Sequence, residues 1–155
     1  MRRKRVYKKD HKPDAIHESV ALGRFINYLM QGGKKSVAEK VIYGAMDIIQ
    51  NEMKEDPLKV FDRALENVMP VLEVVSRRIG GANYQIPVEV RSARRFFLAS
   101  RWIIGTARSK KGKPMAAKLA EELMAAAKNE GEAIKKKQNI HRMAEANRAF
   151  AHFAR

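Results

Sequence analysis

From Ser19 onward the apolar residues of this chain recur at helical spacing, with one exception between Pro70 and Ser92, where the pattern becomes that of extended strand. Residues 71–79 and 84–90 are rich in β-branched and aromatic side chains and are joined across Gly80-Gly81-Ala82-Asn83, the composition of a β-hairpin. Pro87 has no N–H to give to a strand ladder and belongs on an edge. That suits a two-stranded ribbon projecting from a helical body, with both edges open to a partner. The expected fold is mainly α. It is a single domain of about six helices with a protruding two-stranded β-hairpin arm at about residues 72–90.

Start and stop signals place the helices. Ser19 opens the first, with Leu22, Phe25, Ile26, Leu29 and Met30 on one stripe, and Gly32-Gly33 supplies its stop. Ser36 and Glu39 make a capping box for a second helix running to about residue 55 through Val37, Val41, Ala45, Ile48 and Ile49. Lys34 and Lys35 then stand beside the free N–H groups of a helix start, which makes them either a phosphate seat or two solvated lysines in a turn. Asp56-Pro57 pairs an N-cap with Pro at the first helical position, and Leu58, Phe61, Leu65, Val68 and Met69 carry the third helix to Pro70. After the hairpin, Ser92 is placed to cap a fourth helix to about residue 108, with Phe96, Ala99, Trp102 and Ile103 in the core. Pro114 starts a fifth, with Leu119, Ala120, Leu123, Met124 and Ala127 inward and Gly131 at its end. A sixth covers about residues 132–149, around Ile140, Met143 and Phe150, and a short tail follows.

Charge is segregated along this pattern. The chain holds 32 Lys and Arg against 17 Asp and Glu, a net charge of +15, an excess that implies a polyanionic partner. Residues 1–13 alone carry +6, from Arg2, Arg3, Lys4, Arg5, Lys8, Lys9 and Lys12 against Asp10, and almost nothing apolar, so they are expected to be a flexible basic arm ahead of a body at residues 14–155. Residues 14–72 sum to −2, residues 73–114 to +8 and residues 115–155 to +3. Arg94, Arg101 and Arg108 recur every seven residues and form a ridge on the fourth helix, followed by a lysine-rich loop at residues 109–113. Lys135-Lys136-Lys137, Arg142 and Arg148 continue the basic content in the last helix.

Catalytic constellations are missing from the sequence. There is no Cys, which removes thiol nucleophiles, disulfides and Cys-based metal sites. His11, His17, His141 and His152 include no pair at helical metal spacing, and are read as surface or RNA-contacting residues. Gly32-Gly33-Lys34-Lys35-Ser36 resembles a phosphate-binding loop without its spacing or its preceding strand. Glu121 and Glu122 are adjacent on an amphipathic helix and are expected to be solvated. No enzyme, cofactor, metal or membrane span is expected, and no apolar run approaches about 18 residues. What remains is phosphate contact, with Arg77, Arg78 and Tyr84 on the ribbon. Tyr84 either stacks on a base or packs across the hairpin on an aliphatic neighbour. Charge alone does not separate RNA from DNA, and a helical core with a β-ribbon also suits a DNA-bending protein.

Two long stretches narrow the choice. Residues 77–91, Arg77-Arg78-Ile79-Gly80-Gly81-Ala82-Asn83-Tyr84-Gln85-Ile86-Pro87-Val88-Glu89-Val90-Arg91, and residues 143–152, Met143-Ala144-Glu145-Ala146-Asn147-Arg148-Ala149-Phe150-Ala151-His152, closely resemble the signatures of small-subunit ribosomal protein seven of bacterial type. The similarity extends from Pro13-Asp14 through Gly33-Lys34-Lys35-Ser36, Ala64-Leu65-Glu66-Asn67-Val68 and Arg101-Trp102-Ile103. The resemblance implies a structural, cytoplasmic protein that binds the 3′ major domain of small-subunit rRNA and nucleates assembly of the subunit head. It implies rRNA contacts by the N-terminal arm (Arg2 to Lys12), by Lys34, Lys35 and Ser36, by Arg77 and Arg78, and by Arg91, Arg94, Arg95, Arg101 and Arg108. Lys110, Lys111 and Lys113 in the loop, and Lys136, Arg142, Asn147 and Arg148 near the end, complete that set. The hairpin tip, Gly80, Gly81, Ala82, Asn83 and Tyr84, is implied to lie near exit-site tRNA and the mRNA exit channel. Neighbouring head and platform proteins, and an mRNA of its own operon, are the further implied partners. The chain departs from many bacterial relatives at Ser92, where they have Pro, and at Phe153-Ala154-Arg155, where they end Tyr-Arg-Trp.

Overall fold

The computed structural model describes residues 11–154 of the 155-residue chain. Arg2, Arg3, Lys4, Arg5, Lys8 and Lys9 of the expected arm lie outside the described residues. The fold is mainly α. Six α-helices, α1 (Val20–Leu29), α2 (Lys35–Met53), α3 (Pro57–Val68), α4 (Ser92–Ser109), α5 (Met115–Ala127) and α6 (Glu132–Ala146), accompany one antiparallel pair, β1 (Leu72–Ile79) and β2 (Ala82–Glu89). A C-terminal 3₁₀ helix, Arg148–Ala154, occupies the place of the expected tail.

The core is built around α5, which packs against α2, α3, α4 and α6. Leu119, Ala120, Leu123 and Ala126 are fully buried, and the alanines let the neighbouring helices approach closely. Leu22, Phe25 and Ile26 of α1, Ile42 and Ile49 of α2, Phe61 and Leu65 of α3, and Ile103 of α4 fill the remainder. Phe25 and Phe61 meet edge to face, with centroids 5.3 Å apart, which is the favourable arrangement for two aromatic quadrupoles.

Local chemistry explains most helix ends. Ser19 Oγ accepts the Leu22 N–H at 3.3 Å, and Asp56 Oδ1 accepts the Leu58 N–H at 3.0 Å, as their patterns predict. Ser36 does not cap α2. The helix starts one residue earlier because a backbone turn leads into it: Gly33 takes φ +75°, its carbonyl accepts the Lys35 N–H at 2.9 Å, and Lys34 is the N-cap. Glu39 instead faces Lys35 across one turn, at 3.7 Å. Ser92 is likewise the first residue of α4 and not its cap, since the Arg91 carbonyl already accepts from Arg94 and Arg95, both at 2.9 Å. α1 stops at Leu29, ahead of Gly32-Gly33, where Met30 turns to extended backbone.

The entry to α1 is pinned from two sides. Asp14 is buried; its carboxylate accepts from the Ile16 and His17 N–H groups and from the Tyr43 hydroxyl of α2 at 2.6 Å. Burial alone would raise the Asp14 pKa, but these hydrogen bonds and the nearby His17 hold it below the ordinary value. Burial and the same bond push the Tyr43 hydroxyl up to about 12. Residues 12–14 then run so close over α1 that a Cβ on Gly23 would sit 2.6 Å from the Lys12 carbonyl oxygen. Lys12, counted with the arm on charge, therefore has its backbone against the helical body. Gly23→Ala should displace this segment and lower stability by about 1–3 kcal/mol in denaturant unfolding. An unchanged unfolding midpoint would show that the segment does not lie on α1.

Candidate nucleic-acid interface

The ribbon turns tightly. Gly80 and Gly81 take φ +57° and +92°, and the register pairs Ile79 with Ala82, Arg78 with Asn83 and Arg77 with Tyr84. The connection is thus two residues long, and Ala82 and Asn83, read as loop, belong to β2. Two strands alone are marginal in water, and this pair is backed along its length. Tyr84 packs neither on an aliphatic cross-strand neighbour nor into solvent: its ring meets Phe150 at 5.3 Å and Phe153 at 5.5 Å, both from the 3₁₀ helix. Arg77 donates to the Phe153 carbonyl at 3.4 Å. At the base, His141 Nε2 of α6 accepts the Val71 N–H at 3.2 Å. The ribbon, expected to project with both edges open, is also clasped by the chain's last two helical segments, where Phe150 and Phe153 bury their rings against it.

α4 joins the ribbon through its first turn. Arg94 bonds Glu73 of β1 at 3.3 Å, while Arg95 donates to the Val90 carbonyl at 2.8 Å and reaches Glu89 of β2 at 3.4 Å. Further along the helix, Arg101 and Arg108 are exposed and form no ion pair among the described residues. The Arg108 guanidinium is held in place by the Leu29 carbonyl at 3.0 Å. Arg78 and Arg91 are exposed as well.

The lysine loop is partly internal in its bonding. Lys110 lies 2.9 Å from the Glu122 carboxylate, and Lys113 is paired with Glu121; Lys111 is exposed and unpaired among the described residues. Glu122 corrects the expectation of two solvated carboxylates. It is 1% exposed and accepts the Ala133 N–H at 3.0 Å, capping the first turn of α6. Adjacent helical residues point about 100° apart, so one of the pair faces solvent while the other turns inward.

The remaining residues divide. Lys34, Lys35 and Ser36 are exposed at the start of α2, and Lys136 and Arg142 are exposed on α6. Asn147 bonds back to the Met143 carbonyl at 2.7 Å and so ends α6, and Arg148 faces Glu145 at 3.5 Å. Two adjoining clefts bring distant segments together. One, of about 460 Å³, is lined by Arg101, Arg108 and Lys136; the other, of about 350 Å³, by Lys34, Arg108 and Met115. Arg108 lies on both, so Lys34, Arg108, Arg101 and Lys136 form one basic strip from three sequence-distant elements.

Comparison with known proteins identifies the family. Residues 1–148 match the family described as ribosomal protein S7p/S5e. The chain belongs to that family. It is 58% identical over 153 residues to small ribosomal subunit protein uS7 of Thermotoga neapolitana, covering 99% of each chain, and 57% identical over the same span to that of Thermotoga maritima. The protein of the same name from Dechloromonas aromatica is 55% identical, over 98% of this chain and 97% of its own. Ribosomal protein S7p/S5e members are structural proteins, and this one is no enzyme.

Within this family member, sequence reasoning missed Arg24 and the aromatic residues Tyr28 and Phe97. Arg24 is the lone base ahead of Lys34 in the nearly neutral stretch, and its guanidinium lies 4.2 Å over the Phe96 ring, with Nε buried and unbonded. Its i, i+4 relation to Tyr28 was the available signal. No helix among the described residues is long and apolar enough to cross a membrane.

His141 gives the ribbon base a pH response. Burial first, and then the charge of Lys137, lower its pKa below the ordinary 6.5, and the neutral Nε2 is what accepts from Val71. The unfolded chain takes up the proton first, so stability is full above the ordinary value and is lost as pH falls through it toward the lower folded value. Unfolding measured between about pH 7.5 and 5.5 should show this loss, and His141→Gln should flatten it. Equal slopes for both chains would remove His141 from the account.

Proposed function

We propose that the protein is a structural component of the small ribosomal subunit that binds the 3′ major domain of its rRNA and nucleates assembly of the subunit head. The observation that carries this reading is the strip Lys34–Arg108–Arg101–Lys136, where bases from the start of α2, from α4 and from α6 converge and none of the four is ion-paired among the described residues. Family membership and the clustered net charge of +15 support it. Arg2, Arg3, Lys4, Arg5, Lys8, Lys9 and Lys12 add phosphate contacts, as do Ser36, Arg78, Arg91, Lys111, Arg142 and Arg148. Arg77, Arg94, Arg95, Lys110 and Lys113 serve the interface in a second way, since each also bonds within the chain and so holds a neighbouring element in register, while Asn147 closes the end of α6.

In the same reading the hairpin tip, Gly80 to Tyr84, reaches exit-site tRNA and the mRNA exit channel, and α6 approaches neighbouring head or platform proteins. With Tyr84 held by Phe150 and Phe153, the groups the tip offers are the exposed backbone of Gly80 and Gly81 and the side chain of Asn83. Binding of a structured mRNA from its own operon would use the same basic strip. The setting is the cytoplasmic ribosome.

The test is equilibrium binding to a 3′ major domain transcript beside duplex DNA of equal charge, with heparin as competitor. With about six to ten phosphates contacted, the logarithm of affinity should fall with the logarithm of salt at a slope of about 0.7 to 0.9 per contact. Lys34→Ala should weaken binding uniformly and reduce that slope by about one. Survival of the rRNA complex with loss of the DNA complex is the expected result. Equal loss of both would move the assignment to bulk phosphate attraction, as in a DNA-bending protein.

A further inference from the structure

The cleft of about 460 Å³ between α1, α4 and α6 has an aromatic floor and a basic rim. Tyr28 and Phe97 meet edge to face at 5.5 Å, and Phe97 is braced from its face by Arg94 at 5.3 Å and Arg101 at 5.9 Å. Trp102 is half-buried beside them. Its indole packs in part against the hydrophobic core and in part lines the cleft, and its N–H bonds no acceptor among the described residues. Arg101, Arg108 and Lys136 stand around the opening, and no Asp or Glu lines it.

An occupant must therefore present a flat apolar face and carry negative charge close to it. An unpaired nucleotide does both, with its base on the aromatic floor and its phosphate at the rim. The chain's own residues 1–13, at +6, are repelled by the same three cations. The size falls within the range of about 300–1,000 Å³ common to small-molecule sites. We propose that this cleft is a base-binding site: it takes one unstacked nucleotide of the bound RNA against Trp102, with Arg101, Arg108 and Lys136 on the flanking phosphates. This rests on the reading of the protein as an rRNA binder and adds to it a site that recognises an unpaired base.

Two features make the site testable. Trp102 is the single tryptophan beside four tyrosines, so emission excited beyond tyrosine absorption reports on this cleft alone. Gly105 lines the cleft from α4 at helical, not left-handed, φ, and a Cβ there would meet nothing within 4 Å. Leu at that position fills the cleft while improving helix propensity over Gly. The full chain is titrated with the 3′ major domain transcript and, separately, with a fully paired RNA duplex of equal length, binding being followed independently by filter retention.

The transcript should quench Trp102 in step with binding, and the saturating duplex should leave most of the emission. Gly105→Leu should keep its thermal midpoint, lose the quench and bind the transcript about 5- to 150-fold more weakly, the loss of one stacked base. Bound transcript with unchanged emission overturns the proposal and leaves the cleft to a side chain of a neighbouring protein. Equal quenching by the duplex, or unaltered affinity of Gly105→Leu, overturns it too. The wild-type titration needs no variant, so the outcome does not hang on how Gly105→Leu folds. Failure of the transcript to be retained at all is separately visible on the filter, and defeats the rRNA reading together with this site.

Discussion

Much of the arrangement hangs on a charge that has been taken out of water. The Glu122 carboxylate sits on the central helix at 1% exposure, and a buried carboxylate is tolerated only when paired and hydrogen-bonded. Lys110 supplies the counter-charge at 2.9 Å, and the Ala133 N–H supplies the bond. Those two partners are the start of the α4–α5 loop and the first turn of α6, so satisfying one oxygen pair settles where both segments lie relative to α5. Gly131 completes the constraint. It takes φ +93°, a conformation that L side chains rarely adopt, and a Cβ there would come within 3.1 Å of the same carboxylate, so a side chain at this point is strained. Lys136, four residues into α6, is carried to the basic strip by this seating.

The basic surface is therefore a product of core packing more than of local sequence. Lys34, Arg108 and Lys136 share no periodicity and come from three helices, yet two clefts with Arg108 in common place them side by side. The arginines of α4 show a division of labour along the length of the helix. Near its N-terminus Arg94 and Arg95 are taken up by Glu73, Glu89 and the Val90 carbonyl, which lock the ribbon to the helical body. One and two heptads later, Arg101 and Arg108 have no acidic partner among the described residues and keep their charge for a ligand.

Where the fold was legible in the sequence, the determinant was local. The Leu22–Phe25–Ile26–Leu29 stripe, the Asp56-Pro57 start and the Gly80-Gly81 turn each act within a few residues, and each stands where the pattern puts it. Where the reading failed, the deciding contact was distant. Glu122 looks solvated beside Glu121 until α6 folds over it; Tyr84 finds its packing partners 66 and 69 residues later, at Phe150 and Phe153. Ser36 and Ser92 mislead for another reason. Hydroxyls fit the capping pattern at both positions, but backbone carbonyls at Gly33 and Arg91 reach the first N–H groups sooner. The basic residues of the interface were visible from composition; the aromatic cleft between them was not, because Trp102 reads as a core position and Tyr28 and Phe97 meet it only once α1 packs on α4.

The clasp on the ribbon carries a consequence for the order in which this protein is completed. A chain is made from its N-terminus, so its last residues are the last to become available for packing. The strands at residues 72–89 are therefore available long before Phe150 and Phe153, the rings on which Tyr84 rests. Until those residues appear, the ribbon is held to the body through Arg94 and Arg95, with the ring of Tyr84 still lacking its partners. The last residues to be made thus complete the support of a strand made much earlier, and a chain ending before Phe150 would leave Tyr84 without either of its ring partners.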